Sequence, residues 1–274
     1  MVDSTGMDNP VQPPGAQLPA NGIVVAASRS GSGKTLVTLG LLAALRERGI
    51  GVAPAKTGPD YIDAAILSRV AGREAISLDP WAMSASRLRG IAGRHAVASD
   101  LLLAEGVMGL FDGAADGTGS TADLAAMLGL PVVLVIDAER QSQSIAALVH
   151  GFATWRRDVT VAGVIVNRVA TTRHERMLRA ALEPVGLPVL GVLPRRDGLH
   201  LPDRHLGLVL PGEIARFDAV VAAAAEAVAE YVELNRLLAL SAPLRLPSSV
   251  REEVGAGGQR NLAVLPPLGQ RIAI

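Results

Sequence analysis

The fold of this chain follows from one stretch, Ala27-Ser28-Arg29-Ser30-Gly31-Ser32-Gly33-Lys34-Thr35. An apolar run, residues 23–27, leads into it, and a helical pattern with Val37, Leu41 and Leu45 on one face follows it. The order strand, glycine-rich turn, Gly-Lys-Thr and helix is that of a phosphate loop. In such a loop, backbone N–H groups and the positive end of the new helix bind phosphate oxygens. We therefore predict that the chain binds a nucleoside triphosphate.

Individual residues of this loop have separate predicted roles. Lys34 is expected to reach the β- and γ-phosphates, and the Thr35 hydroxyl is expected to bind Mg²⁺. Serine stands at position 28, where the pattern G-x-x-x-x-G-K-[ST] has its first glycine, but the flanking strand and helix support the assignment. The residues predicted to contact the nucleotide are Arg29, Ser30, Gly31, Ser32, Gly33, Lys34 and Thr35.

Length, composition and charge restrict the class of protein. The chain has 274 residues, enough for one large α/β domain, and 49% of them are hydrophobic. The 26 basic and 26 acidic side chains balance, which argues against broad electrostatic binding to nucleic acid or to an anionic membrane. No apolar run approaches the roughly 20 residues of a membrane span, and no signal-peptide pattern is present. Without cysteine there is no disulfide and no thiol nucleophile, and we expect a cytoplasmic protein.

Apolar runs alternate with helical patterns through most of the chain. Several runs are continuously apolar, as in parallel strands covered on both faces. Strands are predicted at 23–27, 51–55, 101–104, 132–136, 161–166 and 189–193. Helices are predicted after Thr35, Ala64, Thr121, Ser142 and His174, and from about 214 to 238. This alternation predicts an α/β fold with a doubly wound, mostly parallel sheet that binds ligands at the carboxyl ends of its strands.

The composition changes at both ends of the chain. Residues 1–20 are polar and proline-rich, which predicts a disordered leader. Residues 21–240 form the predicted nucleotide-binding domain. Residues 241–274 have the proline and glycine content of a linker and end in a pattern that resembles the start of a new strand. We therefore expect the chain to be the front portion of a longer protein.

A second polar stretch follows the second predicted strand: Lys56-Thr57-Gly58-Pro59-Asp60-Tyr61-Ile62-Asp63. Lys34 and Lys56 are the only lysines, so both are candidates for contacting a transferring phosphoryl group. Asp60 and Asp63 are spaced to share a helix face beside the phosphate loop and are candidates for metal and substrate binding. The alternative is structural: Asp60 caps a helix, Asp63 is solvated and Tyr61 packs.

The next candidate is an acidic strand end. The apolar run 101–104 leads to Glu105, where phosphate-loop proteins carry a carboxylate that holds Mg²⁺ directly or through water. The glycine-rich segment 106–119 is long enough to be functional and could close over a substrate. Asp112 lies within it, and Ser120 and Thr121 are placed to cap a helix and to offer hydroxyl or N–H groups to an anion. We assign these three residues to substrate binding.

Two more polar pairs follow predicted strands. Asn167 and Arg168 end a central strand, and the asparagine amide, which both donates and accepts, could read a base edge or form a turn. Both residues are assigned to nucleotide binding. Arg204 and His205 follow the last predicted strand, and Arg204 offers a planar fork for a carboxylate. This second pair is assigned to the substrate.

Together these stretches resemble the cobyrinic acid a,c-diamide synthase family of cobalamin biosynthesis, including its hydrogenobyrinic acid members. The resemblance covers about residues 20–240 and is most specific at 58–63 and 105–113. It implies ATP-dependent amidation of the a and c side-chain carboxylates of a corrinoid through an acyl phosphate. Family members also carry a C-terminal glutaminase domain with a cysteine nucleophile. The sequence has no cysteine that could act as this nucleophile. The resemblance therefore implies that this chain corresponds to the carbon–nitrogen ligase domain and takes its nitrogen from free ammonia.

The resemblance also implies roles for the charged residues. Lys34 and Lys56 would neutralise phosphate charge, and Thr35, Asp60 and Glu105 would hold Mg²⁺. With these five residues around one triphosphate, ATP and Mg²⁺ are the implied cofactors.

The corrinoid side of the site has its own implied residues. Tyr61 and Asp63 would lie where nucleotide and corrinoid meet, with Asp63 orienting the attacking carboxylate or the ammonia. Asn167 would contact adenine. The implied partners are a small corrinoid substrate and the glutaminase domain, with no nucleic acid and no membrane, and a homodimer stays open.

Three alternatives remain at this stage. A cobyric acid synthase amidates other side chains of the same ring, but the Gly-Pro-Asp-Tyr stretch is not expected there. Dethiobiotin synthetase shares the loop chemistry, usually with the first loop glycine. A dimerising partitioning ATPase is a switch rather than a ligase, and Arg29 occupies the position of its second loop lysine. The acidic stretch after Lys56 has no role in that switch.

Overall fold

A computed structural model describes residues 21–196 and 217–246, together with Ser248 and Val250. The predicted leader and the predicted substrate residues Arg204 and His205 lie outside the described residues. Nowhere in the described part of the chain is a helix both long and apolar enough to cross a bilayer.

A single sheet of eight strands runs through the described residues. Its strands are β1 (Asn21–Ala27), β2 (Val52–Thr57), β3 (Ile76–Leu78), β4 (Leu101–Glu105), β5 (Val132–Asp137), β6 (Val161–Val169), β7 (Val189–Pro194) and β8 (Ala242–Pro243). The order is β3-β2-β4-β1-β5-β6-β7, with every neighbouring pair parallel. β8 pairs antiparallel with the first residues of β1. The predicted α/β class with a mostly parallel sheet is confirmed.

Helices cover both faces of this sheet. They are α1 (Lys34–Glu47), α2 (Tyr61–Ala71), α3 (Ala85–Ala96), α4 (Thr121–Leu128), α5 (Ile145–Thr154), α6 (Thr172–Leu182), α7 (Phe217–Tyr231) and α8 (Leu234–Ala239), with a 3₁₀ turn at Glu183–Val185. One hydrophobic cluster packs α3 to α6 on one face, and a second packs α1, α2, α7 and α8 on the other. Alternate residues of β1 enter the two clusters because successive strand side chains point to opposite faces.

The position of β1 explains where a ligand can bind. β1 lies between β4 and β5. The chain passes from β1 to β2 on one side of the sheet and from β5 to β6 and β7 on the other. Where the connections of neighbouring strands leave in opposite directions, a crevice forms outside the carboxyl ends of the strands. The register places Lys56 beside Glu105, and Asp137 beside Asn167, at this edge. The phosphate loop leaves β1 between these two pairs.

Several predicted boundaries were wrong. Neither β3 nor α3 was predicted, and the single helix predicted from about 214 to 238 is interrupted. Val232 bridges to Gly191, and the Glu233 N–H donates to Leu190 O at 2.8 Å, so α7 stops and α8 begins afresh.

The predicted linker begins too early at residue 241. β8 pairs with β1, Leu244 is buried, and the Arg245 N–H donates to Leu128 O at 3.0 Å. The packed domain therefore extends at least to Leu246, beyond the predicted boundary at 240.

Candidate active site

The phosphate loop ends in the uncapped N-terminus of α1. Gly33 occupies the N-cap position with φ 85°, and no described side chain caps this end of the helix. A side chain at position 33 would also collide with the amide of Asn167. The Ser32 hydroxyl donates to Arg29 O at 2.9 Å and stabilises the turn. The first helical N–H groups are thus oriented for an anion, as the sequence predicted.

Asn167 braces this loop from β6. It is buried, its Nδ2 donates to Ser32 O at 3.0 Å, and its Oδ1 accepts from the Arg168 N–H at 3.0 Å. Both ends of the amide are therefore bonded to backbone. The turn role suggested by the sequence is what the structure shows, and the contact of Asn167 with adenine stays a prediction.

Asp137, at the end of β5, holds both arginines that were assigned to the nucleotide. Its Oδ2 lies 3.1 Å from Arg29 Nη2 and 2.8 Å from Arg168 Nη1. Arg168 Nη1 also donates to Gly31 O at 2.9 Å, and its backbone has the uncommon φ of 60°. Arg29 is largely exposed, so its pair contributes little to stability. The arginines flank the loop opposite Lys56.

Lys56 is the buried centre of the site. Its Nζ lies 2.6 Å from Asp63 Oδ2, 3.0 Å from Glu105 Oε1 and 3.1 Å from Gly106 O, and only 2% of the residue is exposed. A lysine ammonium has three N–H donors, and these three acceptors use all of them. In this structure Lys56 positions two carboxylates. Its direct contact with a phosphoryl group stays a prediction.

Glu105 carries the features of a metal ligand. Its Oε1 accepts from the Thr35 hydroxyl at 2.7 Å and from Lys56, whereas Oε2 is buried and has no hydrogen-bond partner among the described residues. A buried carboxylate oxygen without a partner is costly, and Mg²⁺ prefers such oxygen ligands. Thr35 and Glu105 therefore fit the metal predicted there. The described residues contain no metal-binding group of three or more His, Asp or Glu side chains, so further ligands would come from phosphate or water.

The two lysines differ in their electrostatics. Burial lowers the pKa of Lys34, and although Glu105 opposes this, the charge of Lys56 lowers it further, so the net pKa is below its usual value. Burial also lowers the pKa of Lys56, but Glu105 and Asp63 raise it by more. Lys56 is thus satisfied within the protein. A polyanion bound beside Lys34 would stabilise the charged form of its ammonium group.

The start of α2 shows features of both hypotheses for residues 56–63, the metal- and substrate-binding role and the structural alternative. Asp60 is the N-cap, and its Oδ1 accepts from the Asp63 N–H at 3.0 Å, as the structural alternative proposed. Asp63 is buried and paired with Lys56, and is not solvated. Tyr61 is 71% exposed rather than packed. The negative charge of Asp60 raises the pKa of Lys34. The role of Asp60 as a metal ligand stays a prediction.

The segment 106–119 is anchored at its base. Leu110 is buried and its N–H donates to Ala27 O at 2.8 Å, while Phe111 stacks on Phe152 of α5 at 5.4 Å between ring centroids. Residues 114–118 form an exposed tip. Asp112 is exposed and accepts from the Gly109 N–H at 2.8 Å. This geometry restricts any closure over substrate to the tip.

The two hydroxyls assigned to substrate are used within the fold. Ser120 caps α4 in a reciprocal capping box with Asp123. The Thr121 hydroxyl accepts from the Val107 N–H at 2.9 Å and donates to Val107 O at 3.1 Å. Both residues are buried. The capping prediction is confirmed for Ser120, whereas Thr121 is the first helical residue and its hydroxyl bonds to Val107. The contact of these hydroxyls with a substrate stays a prediction.

Sequence reasoning missed two residues that organise the site. Asp137 ends an apolar strand as Glu105 does, so the same pattern could have found it. Asp123 accepts from Arg156 Nη1 at 2.6 Å and joins α4 to the loop before β6. The spacing Ser120-x-x-Asp123 was visible as a helix start, but its arginine partner comes from 33 residues away.

The chain matches the family model described as "CobQ/CobB/MinD/ParA nucleotide binding domain" over residues 23–209. It is also similar to curated proteins named hydrogenobyrinate a,c-diamide synthase. Identity is 50% over 255 residues for Brucella anthropi, 51% over 254 for Rhizobium meliloti and 48% over 257 for Rhodobacter capsulatus. The alignments cover 92%, 93% and 92% of this chain and 56% of each relative. The chain thus spans about half the length of the curated relatives it matches.

Solved structures share the fold at low identity. The MinC:MinD cell division protein complex of Aquifex aeolicus matches with a TM-score of 0.52 and 17% identity, over 82% of this chain and 98% of that chain. Chloroplast FtsY from Physcomitrella patens matches with a TM-score of 0.50 and 16% identity, over 76% and 66%. These likenesses support the nucleotide-binding fold alone.

Proposed function

Because the chain belongs to the CobQ/CobB/MinD/ParA nucleotide-binding domain family, we propose that it is the ATP-using part of a hydrogenobyrinate a,c-diamide synthase. One observation carries the proposal: Lys56 joins Asp63 to Glu105 directly behind the phosphate loop. A carboxylate that could orient the incoming ammonia and a carboxylate suited to a metal are thereby held near Lys34. Curated relatives with that name, at about half identity, support the same activity.

The nucleotide would occupy the crevice outside β1. Loop residues 29–35 would bind the triphosphate, Arg168 and Asn167 would border the nucleoside, and Lys34 would contact the terminal phosphates. Thr35 and Glu105 would hold Mg²⁺. When bound, that ion neutralises charge on the phosphates during transfer.

The acceptor would meet the nucleotide at the start of α2. Exposed Tyr61 and Asp112 are accessible to a large acid. Asp63, fixed by Lys56, would orient the incoming group. The hydroxyls of Ser120 and Thr121 are engaged within the fold, as are the N–H groups of Ser120, Ala122 and Asp123. Contact of this helix start with the substrate therefore stays a prediction.

An acyl phosphate accounts for the chemistry. A carboxylate does not react with ammonia at neutral pH, because its oxygen is a poor leaving group. In the first step a carboxylate oxygen bonds to the γ-phosphorus while the bond to ADP breaks. In the second, ammonia bonds to the carbonyl carbon, phosphate leaves, and a proton passes to Asp63 or water. Positioning and charge neutralisation provide most of the rate.

Free ammonia is the nitrogen source we propose for this chain. The sequence contains no cysteine, so it supplies no thiol to hydrolyse glutamine. In the longer relatives we propose that glutamine provides the ammonia through the part of the protein that this chain does not match.

The test is an amidation assay with the chain, ATP, Mg²⁺ and ammonium, using metal-free or cobalt-bearing corrinoid acid. Mass spectrometry of the ring should show one or two carboxyl-to-amide conversions with matching ADP release. ATP-driven dimerisation without any amide would instead favour the partitioning-type switch, in which Arg29 leaves Asp137 for the second copy.

Asp63→Asn separates binding from chemistry. ATP affinity should remain near that of the unaltered chain, whereas amide formation should fall by about a hundredfold or more, as for loss of a group that acts at the reacting centre. Retention of both properties would refute the role of Asp63. Glu175→Gln, in an exposed pair on α6, is the matched control and should change neither.

A further inference from the structure

Large apolar side chains are exposed at one edge of the sheet. Among the described residues, those with high exposure are Tyr61 at 71%, Trp81 at 69%, Met108 at 42% and Trp155 at 75%. Tyr61, Trp81 and Met108 follow the carboxyl ends of the adjacent strands β2, β3 and β4, the edge that carries Lys56 and Glu105. Trp155 follows α5 and precedes β6, so it lies at the opposite edge.

Trp81 is held in a rigid turn. Asp79 Oδ1 accepts from the Trp81 N–H at 2.9 Å and from the Ala82 N–H at 3.2 Å, and the Met83 N–H donates to Asp79 O at 2.9 Å. The backbone of Gly119, with φ 78°, packs on its Cβ; a Cβ at position 119 would lie 2.6 Å from that atom. The Trp81 indole therefore lies beside the start of α4, and hydrogen bonds already order the backbone of Trp81. Pre-ordering of this kind reduces the entropy that binding must overcome.

We propose that Trp81 packs against the ring of the acceptor and makes the site selective for a large flat polycyclic acid. This inference rests on the proposed function. An acceptor whose carboxyl arm reaches Asp63 must leave the body of its ring outside the phosphate crevice. The exposed indole that follows the edge strand β3, next to β2, offers that body a flat apolar surface.

Steady-state kinetics test the contact. In Trp81→Ala, KM for the corrinoid acid should rise about ten- to a hundredfold, the range for losing one aromatic stacking partner. kcat and KM for ATP should stay within about twofold, because the contact is equal in ground and transition states. Trp81→Phe should recover much of the loss. Trp155→Ala is the matched control and should leave every constant unchanged.

Fluorescence provides a second readout without turnover. The chain has two tryptophans, so Trp155→Phe leaves Trp81 as the sole indole. Titration with the corrinoid acid should quench that variant strongly and should quench Trp81→Phe weakly. Equal quenching of the two, or an unchanged KM in Trp81→Ala, would overturn this inference alone. Absence of any amide formation by the unaltered chain would overturn the proposed function instead.

Discussion

Removal of the Lys56 charge should destabilise the fold far more than removal of any surface cation. Lys56→Met keeps the length of the side chain but leaves Glu105, which is fully buried, and Asp63 without their shared cation. Loss of one partner of a buried ion pair costs about 3–5 kcal/mol. Because two carboxylates depend on this ammonium, we expect the upper part of that range. The free energy of unfolding from urea denaturation measures it.

Two further variants make that prediction decisive. Arg69→Met removes a cation from an exposed pair with Asp218 and from the face of the Phe217 ring, and should cost at most about 1–2 kcal/mol. The triple variant Lys56→Met, Asp63→Asn, Glu105→Gln removes the unpaired charges and should recover most of the stability, since a neutral set avoids buried uncompensated charge. A loss in Lys56→Met no larger than in Arg69→Met would refute the idea that Lys56 organises this site.

Two other predictions address binding and pH. Lys34→Ala should weaken ATP at least about 10- to 100-fold, the value of one charge-assisted hydrogen bond, and unaltered affinity by calorimetry would exclude the phosphate-loop assignment. Burial lowers the pKa of His95 below 6.5, and its Nε2 donates to Pro54 O at 2.9 Å. Because the unfolded chain then binds the proton more readily, His95 favours folding above pH 6.5 and loses this contribution as pH falls, by less than about 1.4 kcal/mol per pH unit. Urea unfolding of His95→Gln should show a flatter pH dependence between pH 7.5 and pH 5.5, and identical slopes would contradict this.

The strongly patterned parts of the fold were predictable from the sequence. The phosphate loop was recognisable from its Gly-Lys-Thr motif. Strands such as β5 were recognisable as continuous apolar runs, because every residue of a strand covered on both faces is buried. β3 has only three residues, too few for a pattern. α3 contains Gly90 and Gly93, which weaken the helical signal. A Cβ at position 93 would lie 2.6 Å from Leu246 Cδ2, so the Leu246 side chain would have to shift to accept any larger residue there.

Lys56, Asp63 and Glu105 could be selected from the sequence as candidate site residues, but the contacts between them could not be predicted. Strand ends at Lys56 and Glu105 can be placed at one edge from topology. That all three donors of Lys56 are used depends on the start of α2 and on Gly106, which no local pattern specifies. The same holds for Asp137, whose two arginines come from β6 and from the phosphate loop.

Transfer of a heavy-oxygen label is the most direct test of the claim that a triphosphate and an acid meet between Lys34 and Asp63. The corrinoid acid would carry the label in its carboxylates, and phosphate released with ATP, Mg²⁺ and ammonium would be analysed by mass spectrometry. The account predicts one labelled oxygen in the phosphate for each amide formed. Unlabelled phosphate accompanying amide formation would contradict it.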